Sequence, residues 1–143
     1  MTRQPAAEIR LGSWSELAPL VTPVRFRVFV DEQGVPSDME LDEFDPQCWH
    51  AAALCDGQVV GAGRLLPDGH IGRMAVLAGW RGRGVGALLL QALIDEAKRR
   101  GMARVVLNAQ THALGFYARF GFVPEGEEYE EAGLPHRTMG RSL

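Results

Sequence analysis

The stretch that decides the fold is Arg81-Gly82-Arg83-Gly84-Val85-Gly86, which lies between a predicted strand and the most regular helical pattern of the chain. The first N–H groups of a helix have no partners within it, and the helix dipole favours an anion at this end. Glycine lets an anion approach the backbone closely, and the two arginines add charged donors. The turn therefore predicts a site for a phosphate or pyrophosphate.

Two other phosphate-binding motifs compete with this interpretation of the turn. Gly82, Gly84 and Ala87 also satisfy the spacing of the dinucleotide fingerprint, so the turn alone does not identify the ligand. A dinucleotide-binding unit needs an acidic residue at the end of the following strand, where this chain has Asn108. The sequence also lacks the Gly-Lys-Ser/Thr of a nucleotide-triphosphate loop. Both alternatives are disfavoured.

The elements around the turn follow from periodicity and turn residues. Asp56-Gly57 is a strong hairpin signal, and three strands before the glycine turn form an antiparallel meander. They are expected at Trp49–Cys55, Val59–Leu66 and His70–Val76. After the turn, apolar residues repeat at helical spacing up to Arg100, Gly101 closes the helix, and Arg104–Leu107 forms a strand. Strand, helix and strand then make a right-handed crossover with parallel neighbours.

The amino-terminal part gives weaker signals. Glu8–Trp14 alternates apolar and polar residues, which predicts a first strand. Ser15 or Thr22 offers a helix start, and we expect a short buried helix over Thr22–Val30 with Pro23 in its first turn.

Two further segments complete the prediction. Asp31–Gln47 is acidic and carries Gly and Pro residues, which predicts a long ordered loop. A second helix is expected over Ala113–Phe120, and two short strands are expected at the carboxyl end.

Composition excludes several classes of protein. The 143 residues, of which 46% are hydrophobic, suit one globular domain over residues 1–143. Eighteen acidic against fifteen basic residues give a net charge of −3, so nucleic acid is not an expected partner. Cys48 and Cys55 have neither a second pair nor a nearby His at zinc spacing, so we expect reduced thiols and no metal site.

No segment of the sequence is typical of export or of a membrane span. Residues 1–8 lack the apolar core of a signal peptide, and Gln91 and Asp95 interrupt the longest apolar stretch. We therefore expect a cytoplasmic protein without membrane association.

Motifs on both sides of the helix resemble one family. Arg81-x-x-Gly84-x-Gly86, following Ile71-Gly-Arg-Met-Ala-Val76, resembles the acetyl-CoA-binding motif of the GCN5-related N-acetyltransferases. The downstream strand-and-helix motif of that superfamily is similar to Asn108-Ala109, Ala113, Phe116-Tyr117 and Gly121-Phe122, in the same order.

A third set of motifs narrows the resemblance to the ElaA-like, or YjcF-like, branch of this superfamily. The motifs of this third set are Phe26-Arg-Val-Phe-Val-Asp-Glu-Gln-Gly-Val-Pro36, Asp42-x-x-Asp45 and Gly133-Leu-Pro-His136. With them, the resemblance covers nearly the whole chain. It implies an α/β fold with a mixed, mostly antiparallel sheet of about six or seven strands, two of them central, parallel and splayed, flanked by about four helices. The branch does not define an acceptor.

The resemblance also implies a cofactor, acetyl-CoA, with CoA as product, and places residues around it. Backbone groups of Met74, Ala75 and Val76 would pair with the pantetheine arm in the gap between the splayed strands. The remaining expected contacts with the cofactor are Arg81, Gly82, Arg83, Gly84, Val85, Gly86, Asn108 and Phe116.

The reaction implied is direct attack of a primary amine on the thioester through a tetrahedral intermediate. Tyr117 matches the superfamily's acid by position, with helix packing as the alternative. A lysine-like amine, with a pKa of ~10.4, must lose a proton first. Glu32 and His136 are the candidate bases, although a solvated carboxylate and a hydrogen-bonded structural histidine are the ordinary alternatives.

The acceptor is expected to be a small-molecule or peptidyl amine. The acidic residues of Asp31–Asp45 favour a cationic one by charge complementarity. Two other functions stay open: an acyltransferase that uses longer acyl donors, since Phe26–Val30 is similar to a short stretch of homoserine-lactone synthases, and a non-catalytic CoA-binding module. An exposed sheet edge would allow a homodimer.

Overall fold

The computed structural model describes residues 7–143, and the first six residues, part of the segment that lacks a signal-peptide core, lie outside the described residues. Within this range the strands are β1 Glu8–Gly12, β2 Trp49–Cys55, β3 Gln58–Leu65, β4 Ile71–Val76, β5 Arg104–Gln110, β6 Val123–Glu131 and β7 Leu134–Ser142. The helices are α1 Trp14–Arg25, α2 Ser37–Glu40, α3 Val85–Arg99 and α4 Leu114–Ala118. A π-helical segment, Phe26–Glu32, continues α1, and short 3-10 turns lie at Asp45–Gln47, Ala78–Trp80 and Thr111–Ala113.

The strands form two antiparallel sheets that meet at one point. One sheet has the order β1-β2-β3-β4, and the other has the order β5-β7-β6. A single parallel bridge between His70 and Val106 joins them, where the Val106 N–H donates to the Gly69 carbonyl at 3.0 Å. No ladder joins β4 to β5 beyond this bridge within residues 7–143. The predicted fold, a mostly antiparallel framework in which two central parallel strands splay apart, is confirmed.

The meander that precedes the glycine turn is confirmed. Asp56 and Gly57 both have left-handed backbone, with φ of 50° and 78°, as a two-residue hairpin turn of matching twist requires. Cys55 pairs with Gln58 directly across this turn. The register of β2 and β3 is thereby set by the turn.

Helices cover both faces of the first sheet. On α3, Leu89, Leu93 and Ala97 recur every four residues and are fully buried against β2, β3 and β5. On the opposite face, Leu17 and Val21 of α1 pack against apolar residues of the same sheet. The core is therefore divided by the sheet into two layers, and α3 is held rigidly with its first turn at the end of β4.

The amino-terminal helix differs from the prediction. β1 ends at Gly12, and α1 begins at Trp14 because Ser13 and Glu16 exchange side-chain and backbone hydrogen bonds as a capping box. A start at Thr22 is wrong, and Pro23 lies in the last turn of α1 instead of the first turn of a shorter helix. The Ser13-x-x-Glu16 spacing is the local signal in the sequence for this helix start.

Three other segments are corrected. The segment Asp31–Gln47 begins inside the π-helical segment and contains α2 and a 3-10 turn, so only part of it is a loop. The second predicted helix, Ala113–Phe120, is shorter at both ends, because Ala113 belongs to a 3-10 turn and the chain turns after Ala118. β6 and β7 have nine residues each and are not short. β6 is exposed on both faces, which removes the alternation that predicts a strand.

Among residues 7–143 no helix is both long enough and apolar enough to cross a membrane.

Candidate active site

The gap between β4 and β5 exposes backbone groups of β4. The Leu77 N–H donates to the Val60 carbonyl of β3 at 2.9 Å. Because hydrogen-bonding direction alternates along an antiparallel strand, the N–H and C=O of Val76 and of Met74 turn to the other edge, toward β5. This edge is the one on which no ladder forms, so a ligand with amide groups can pair there as an added strand.

A bulge interrupts β4 just before these residues. The register pairs Ala62 with Ala75 and Arg64 with Gly72, so Arg73 and Met74 lie opposite Gly63 alone. Arg73 has a φ of 49°, which is left-handed and unusual for a residue with a side chain.

Position 63 can hold only glycine without rearrangement. A Cβ at Gly63 would lie 2.6 Å from the Met74 sulfur and 2.9 Å from a Leu93 methyl group. The close approach of β3, β4 and α3 at the bulge therefore depends on the missing side chain.

The glycine turn presents unpaired N–H groups. Gly82 and Gly84 have φ of 75° and 83°, and Gly84 is the N-cap of α3. Within the described chain no backbone carbonyl accepts from the N–H groups of Gly82 through Ala87. A Cβ placed at Gly82 or Gly84 would meet no heavy atom within 4 Å, so the space above the turn is open. These features fit a phosphate or pyrophosphate at the end of α3.

The two arginines of the turn have different surroundings. Arg81 donates from Nε to the Val76 carbonyl at 2.9 Å and from Nη2 to both carboxylate oxygens of Glu32, at 3.0 and 2.9 Å. Arg83 lies over the ring of Trp80, 5.1 Å from its centroid. Arg81 thus connects the end of β4 to the π-helical segment, and Arg83 keeps its donors for a ligand.

Three elements converge at the first turn of α3. A Cβ at Gly86 would lie 3.8 Å from the Phe116 ring and 3.9 Å from a methyl group of Val76. Phe116 in turn packs edge-on against Tyr117, with ring centroids 5.1 Å apart. The structure therefore brings the predicted residues of β4, the glycine turn and α4 together at the mouth of the gap.

Tyr117 is partly buried among aromatic rings. Its ring also packs edge-on against Phe122, with centroids 6.2 Å apart. Burial raises the pKa of Tyr117 above its ordinary value of about 10, at which a phenol is already protonated at neutral pH. A protonated phenol near the gap suits a proton donor, and the same ring packing suits a structural residue, so the role stays a prediction.

His136 lies at the carboxyl end of β5, where the register pairs it with Gln110. Its Nδ1 is 2.8 Å from the Leu134 carbonyl, and since a carbonyl only accepts, Nδ1 carries the hydrogen. In the neutral ring Nε2 therefore has a free lone pair. It lies 3.7 Å from a carboxylate oxygen of Glu131, and the ring stacks on Tyr129. This tautomer can accept a proton at Nε2.

Asn108 is a predicted cofactor contact whose side chain does not face α3. Leu107 and Ala109 of β5 are buried on the α3 side, and the exposed Asn108 side chain faces the opposite side of the sheet. There Thr138 donates its hydroxyl to the Asn108 amide oxygen at 3.0 Å. A contact between Asn108 and the cofactor stays a prediction.

Besides Glu32, three of the seven acidic residues in Asp31–Asp45 are paired with arginines. Arg25 donates to Glu40 and Asp45 at 2.8 and 2.7 Å, and Arg64 donates to Asp42 and Asp45 at 2.8 Å each. Burial alone would raise the pKa of Asp45 and Asp42, but arginine and backbone donors outweigh it and both pKa values lie below their usual range.

Arg73 completes this network, with Nη2 3.3 Å from Asp42 and Nε 3.8 Å from Glu40. Three arginines therefore face three carboxylates. The loop then offers less free negative charge for a cationic acceptor than its sequence suggests. The arginines lie far from the loop in sequence, so nothing in the local pattern indicated the pairing.

Neither cysteine resembles a nucleophile. Cys48 and Cys55 are buried and free. Burial raises the pKa of the Cys48 thiol to about 11, so it is not a thiolate at neutral pH. No group of three or more His, Cys, Asp or Glu side chains in the part of the chain that the structure describes could hold a metal ion.

Known proteins share both the sequence motifs and the fold. Residues 17–143 match the family model described as an acetyltransferase (GNAT) domain. The uncharacterized N-acetyltransferase YjcF of Bacillus subtilis is 39% identical over 120 residues, which cover 81% of this chain and 86% of that protein.

Two solved structures are similar over almost the whole chain. An acyl-CoA N-acyltransferase from Pseudomonas aeruginosa has a TM-score of 0.85 at 32% identity, covering 95% of this chain and 99% of that chain. Escherichia coli ElaA has a TM-score of 0.84 at 32% identity, covering 94% and 99%. The glycine turn, the splayed strands and these similarities agree, and the chain belongs to the GNAT family of acyl-CoA N-acyltransferases.

Proposed function

We propose that the protein is an acetyl-CoA-dependent N-acetyltransferase that moves an acetyl group to a primary amine. The observation that supports this most is the conjunction of an open β4 edge with unpaired N–H groups at the start of α3. The first suits the amide groups of a pantetheine arm, and the second suits a pyrophosphate. Only a ligand with both parts uses both features.

The residues around the gap support acetyl-CoA as the proposed ligand. The open volume above Gly82 and Gly84 accepts the pyrophosphate, and Arg83 lies beside it with donors available. Met74 to Val76 would hold the pantetheine arm, with Phe116 and Gly86 at the mouth of the gap. The backbone of Val85 contributes an N–H from the first turn of α3.

When bound, acetyl-CoA supplies an electrophilic thioester carbon. The amine nitrogen would form a bond to that carbon, giving a tetrahedral intermediate, and the C–S bond would then break. The amine gives up one proton, the departing sulfur takes up one proton, and the products are an amide and CoA. No residue of the protein is acylated in this route.

The chain supplies donors and an acceptor of protons for these steps. The N–H groups of Met74 and Val76 point into the gap and can stabilise the negative oxygen of the intermediate. Tyr117, protonated at neutral pH, is the donor to the departing sulfur. Nε2 of His136 can remove the amine proton directly or through water.

Glu32 and His136 differ as bases in what they already bind. Both oxygens of Glu32 are already occupied, because each accepts a hydrogen bond from Arg81. Nε2 of His136 accepts no hydrogen bond from residues 7–143. We therefore assign the base role to His136, and we assign Glu32 the role of holding Arg81.

The acceptor in this proposal is a small-molecule or peptidyl amine. Because Glu40, Asp42 and Asp45 are paired with arginines, the acidic loop alone does not specify a cationic acceptor. The proposal therefore specifies the amine and leaves its remaining charge to experiment.

Calorimetry combined with an acyl-chain series tests this proposal. We expect acetyl-CoA and CoA to bind with similar affinity, because the turn and the strand contact parts that both share. Turnover with an accepted amine should be highest for acetyl-CoA and fall as the acyl chain lengthens. Highest turnover with a longer chain would replace the acetyl donor, and failure of CoA to bind would reject the site.

A further inference from the structure

The bulge of β4 is built on a residue that does not favour its own backbone conformation. In the bulge type that needs a left-handed first residue, that residue is usually glycine. Here it is Arg73, with a φ of 49°. A left-handed conformation of an L residue is unfavourable and persists only where its surroundings determine it.

The bulge decides which way the following side chains point. Ile71 and Met74 both pack on the α3 side of the sheet, although residues three apart in a regular strand point to opposite faces. Ala75 then packs with α1 on the other side. One extra residue at the bulge resets the alternation. Without it, the side chain and the N–H of Met74 would both change direction relative to β5.

The surroundings that hold Arg73 are the carboxylates of the buried network. Asp42 lies 3.3 Å from Nη2, and Glu40 lies 3.8 Å from Nε. Both acids are fixed independently of Arg73, because Arg64 binds Asp42 at 2.8 Å and Arg25 binds Glu40 at 2.8 Å. The guanidinium of Arg73 is thus attached to a frame that is already in place.

We propose that Arg73 is a positioning residue: Asp42 and Glu40 hold its guanidinium, and this contact keeps β4 bulged so that the Met74 N–H faces the reacting carbonyl. The effect on turnover rests on the proposed acetyl transfer. The bulge itself and its dependence on Arg73 do not rest on acetyl transfer. Arg73 acts through the backbone and does not touch the substrate.

Two substitutions separate the side chain from the backbone. Arg73→Ala removes the guanidinium and leaves a residue that disfavours the left-handed conformation. Arg73→Gly also removes the guanidinium, but glycine adopts the left-handed conformation freely. We expect Arg73→Ala to lower kcat on the order of 100-fold, the size that follows from misplacing a reacting group by about 1 Å. We expect Arg73→Gly to keep most of kcat. The KM for acetyl-CoA should change little in Arg73→Gly and rise in Arg73→Ala, because Met74 is also proposed to pair with the pantetheine arm.

Arg10 provides the matched control, because it is an exposed arginine on β1 with ordinary extended backbone. In such a strand glycine is the poorer residue, so Arg10→Gly should be less stable to denaturant than Arg10→Ala. At position 73 the order should reverse. The same order at both positions would overturn the proposal, because the bulge would then not depend on a left-handed residue.

Amide NMR gives a readout that needs no acceptor. The Met74 amide resonance should be near its wild-type position in Arg73→Gly and displaced in Arg73→Ala. Equal losses of kcat in both variants, with the Met74 resonance unmoved, would show that the charge acts directly and would overturn the proposal. If the wild-type protein acetylates no amine, acetyl transfer fails, while the resonance and the stability order still decide the role of Arg73.

Discussion

Arg81 donates to both carboxylate oxygens of Glu32 from one nitrogen and to the Val76 carbonyl from another. One side chain of the glycine turn therefore binds the end of β4 and the end of the π-helical segment at the same time. Arg81 therefore joins β4, one wall of the gap, to the π-helical segment, and the ion pair is partly exposed.

Glu32→Gln should weaken acetyl-CoA binding severalfold and leave kcat within about threefold, because it loosens Arg81 without removing a base. The stability change should stay within about 1 kcal/mol, since both partners are partly exposed. Steady-state kinetics and denaturant unfolding measure the two effects. Glu8→Gln breaks another exposed carboxylate–arginine pair and should change neither. A fall in kcat of about 100-fold or more would instead make Glu32 the base.

His136→Asn should lower kcat about 100-fold or more with little change in the KM for acetyl-CoA. The amide nitrogen of Asn can replace Nδ1 as donor to the Leu134 carbonyl, while the lone pair at Nε2 is lost. His136→Gln, which places its polar group near the Nε2 position, is the comparison. Wild-type kcat in His136→Asn would return the imidazole to a structural role.

Gly84→Glu should abolish measurable CoA binding, because it places a carboxylate where we propose that the pyrophosphate binds and strains a left-handed residue. Gly57→Glu is the matched control. Gly57 has a φ of 78° against 83° at Gly84, and neither position has a heavy atom within 4 Å of an added Cβ. Both variants carry the same kind of strain, and only the first should lose binding in calorimetry. Tight CoA binding by Gly84→Glu would mean that the phosphate site lies elsewhere.

Tyr117→Phe should lower kcat at least about tenfold and leave acetyl-CoA affinity unchanged, because it removes a proton donor and keeps the packing with Phe116. Tyr117→Phe should also make the free energy of unfolding fall less steeply as the pH rises above about 10. Burial raises the pKa of Tyr117 in the folded state, so its contribution is present below the unfolded pKa of about 10 and is lost as the pH rises through the folded value. Turnover equal to wild type under chemistry-limited conditions would remove Tyr117 from the mechanism.

Asp45→Asn should cost about 3 kcal/mol of unfolding free energy, because it leaves Arg25 and Arg64 buried with one carboxylate fewer. Asp45→Asn should also make the free energy of unfolding fall less steeply as the pH is lowered. The pKa of Asp45 is lowered in the folded state, so its contribution is present above the unfolded pKa of about 3.9 and is lost as the pH falls through the folded value. Denaturant unfolding at neutral pH and near pH 3 measures both effects. Unchanged stability at neutral pH would show that the network contributes nothing net.

Local signals predicted the elements that carry the cofactor site. Asp56-Gly57 gave the hairpin and Gly101 the end of α3, because turns and helix ends need residues that accept left-handed backbone. The glycine turn was predicted from the same property together with its place before a helix. The Ser13 capping box is an equally local signal, and it marks the start of α1.

The features missed are those that depend on contacts between distant segments. Arg25, Arg64 and Arg73 pair with acidic residues of the loop from three different elements, and no periodicity indicates such pairing. The left-handed backbone of Arg73 breaks the preference of its residue type, so a sequence pattern predicts a regular strand there. The pairing of Arg81 with Glu32 likewise follows only from the packing of α1 beside β4.

Acetyl transfer itself is tested by incubating the protein with acetyl-CoA labelled with 13C at the carbonyl carbon and a panel of primary amines. Mass spectrometry identifies the labelled product, and a thiol reagent measures CoA in the same reaction. We predict one labelled amide per CoA released, formed only when an accepted amine is present. Acetyl-CoA that binds but releases no amine-dependent thiol with any member of the panel would contradict catalysis and leave a CoA-binding module.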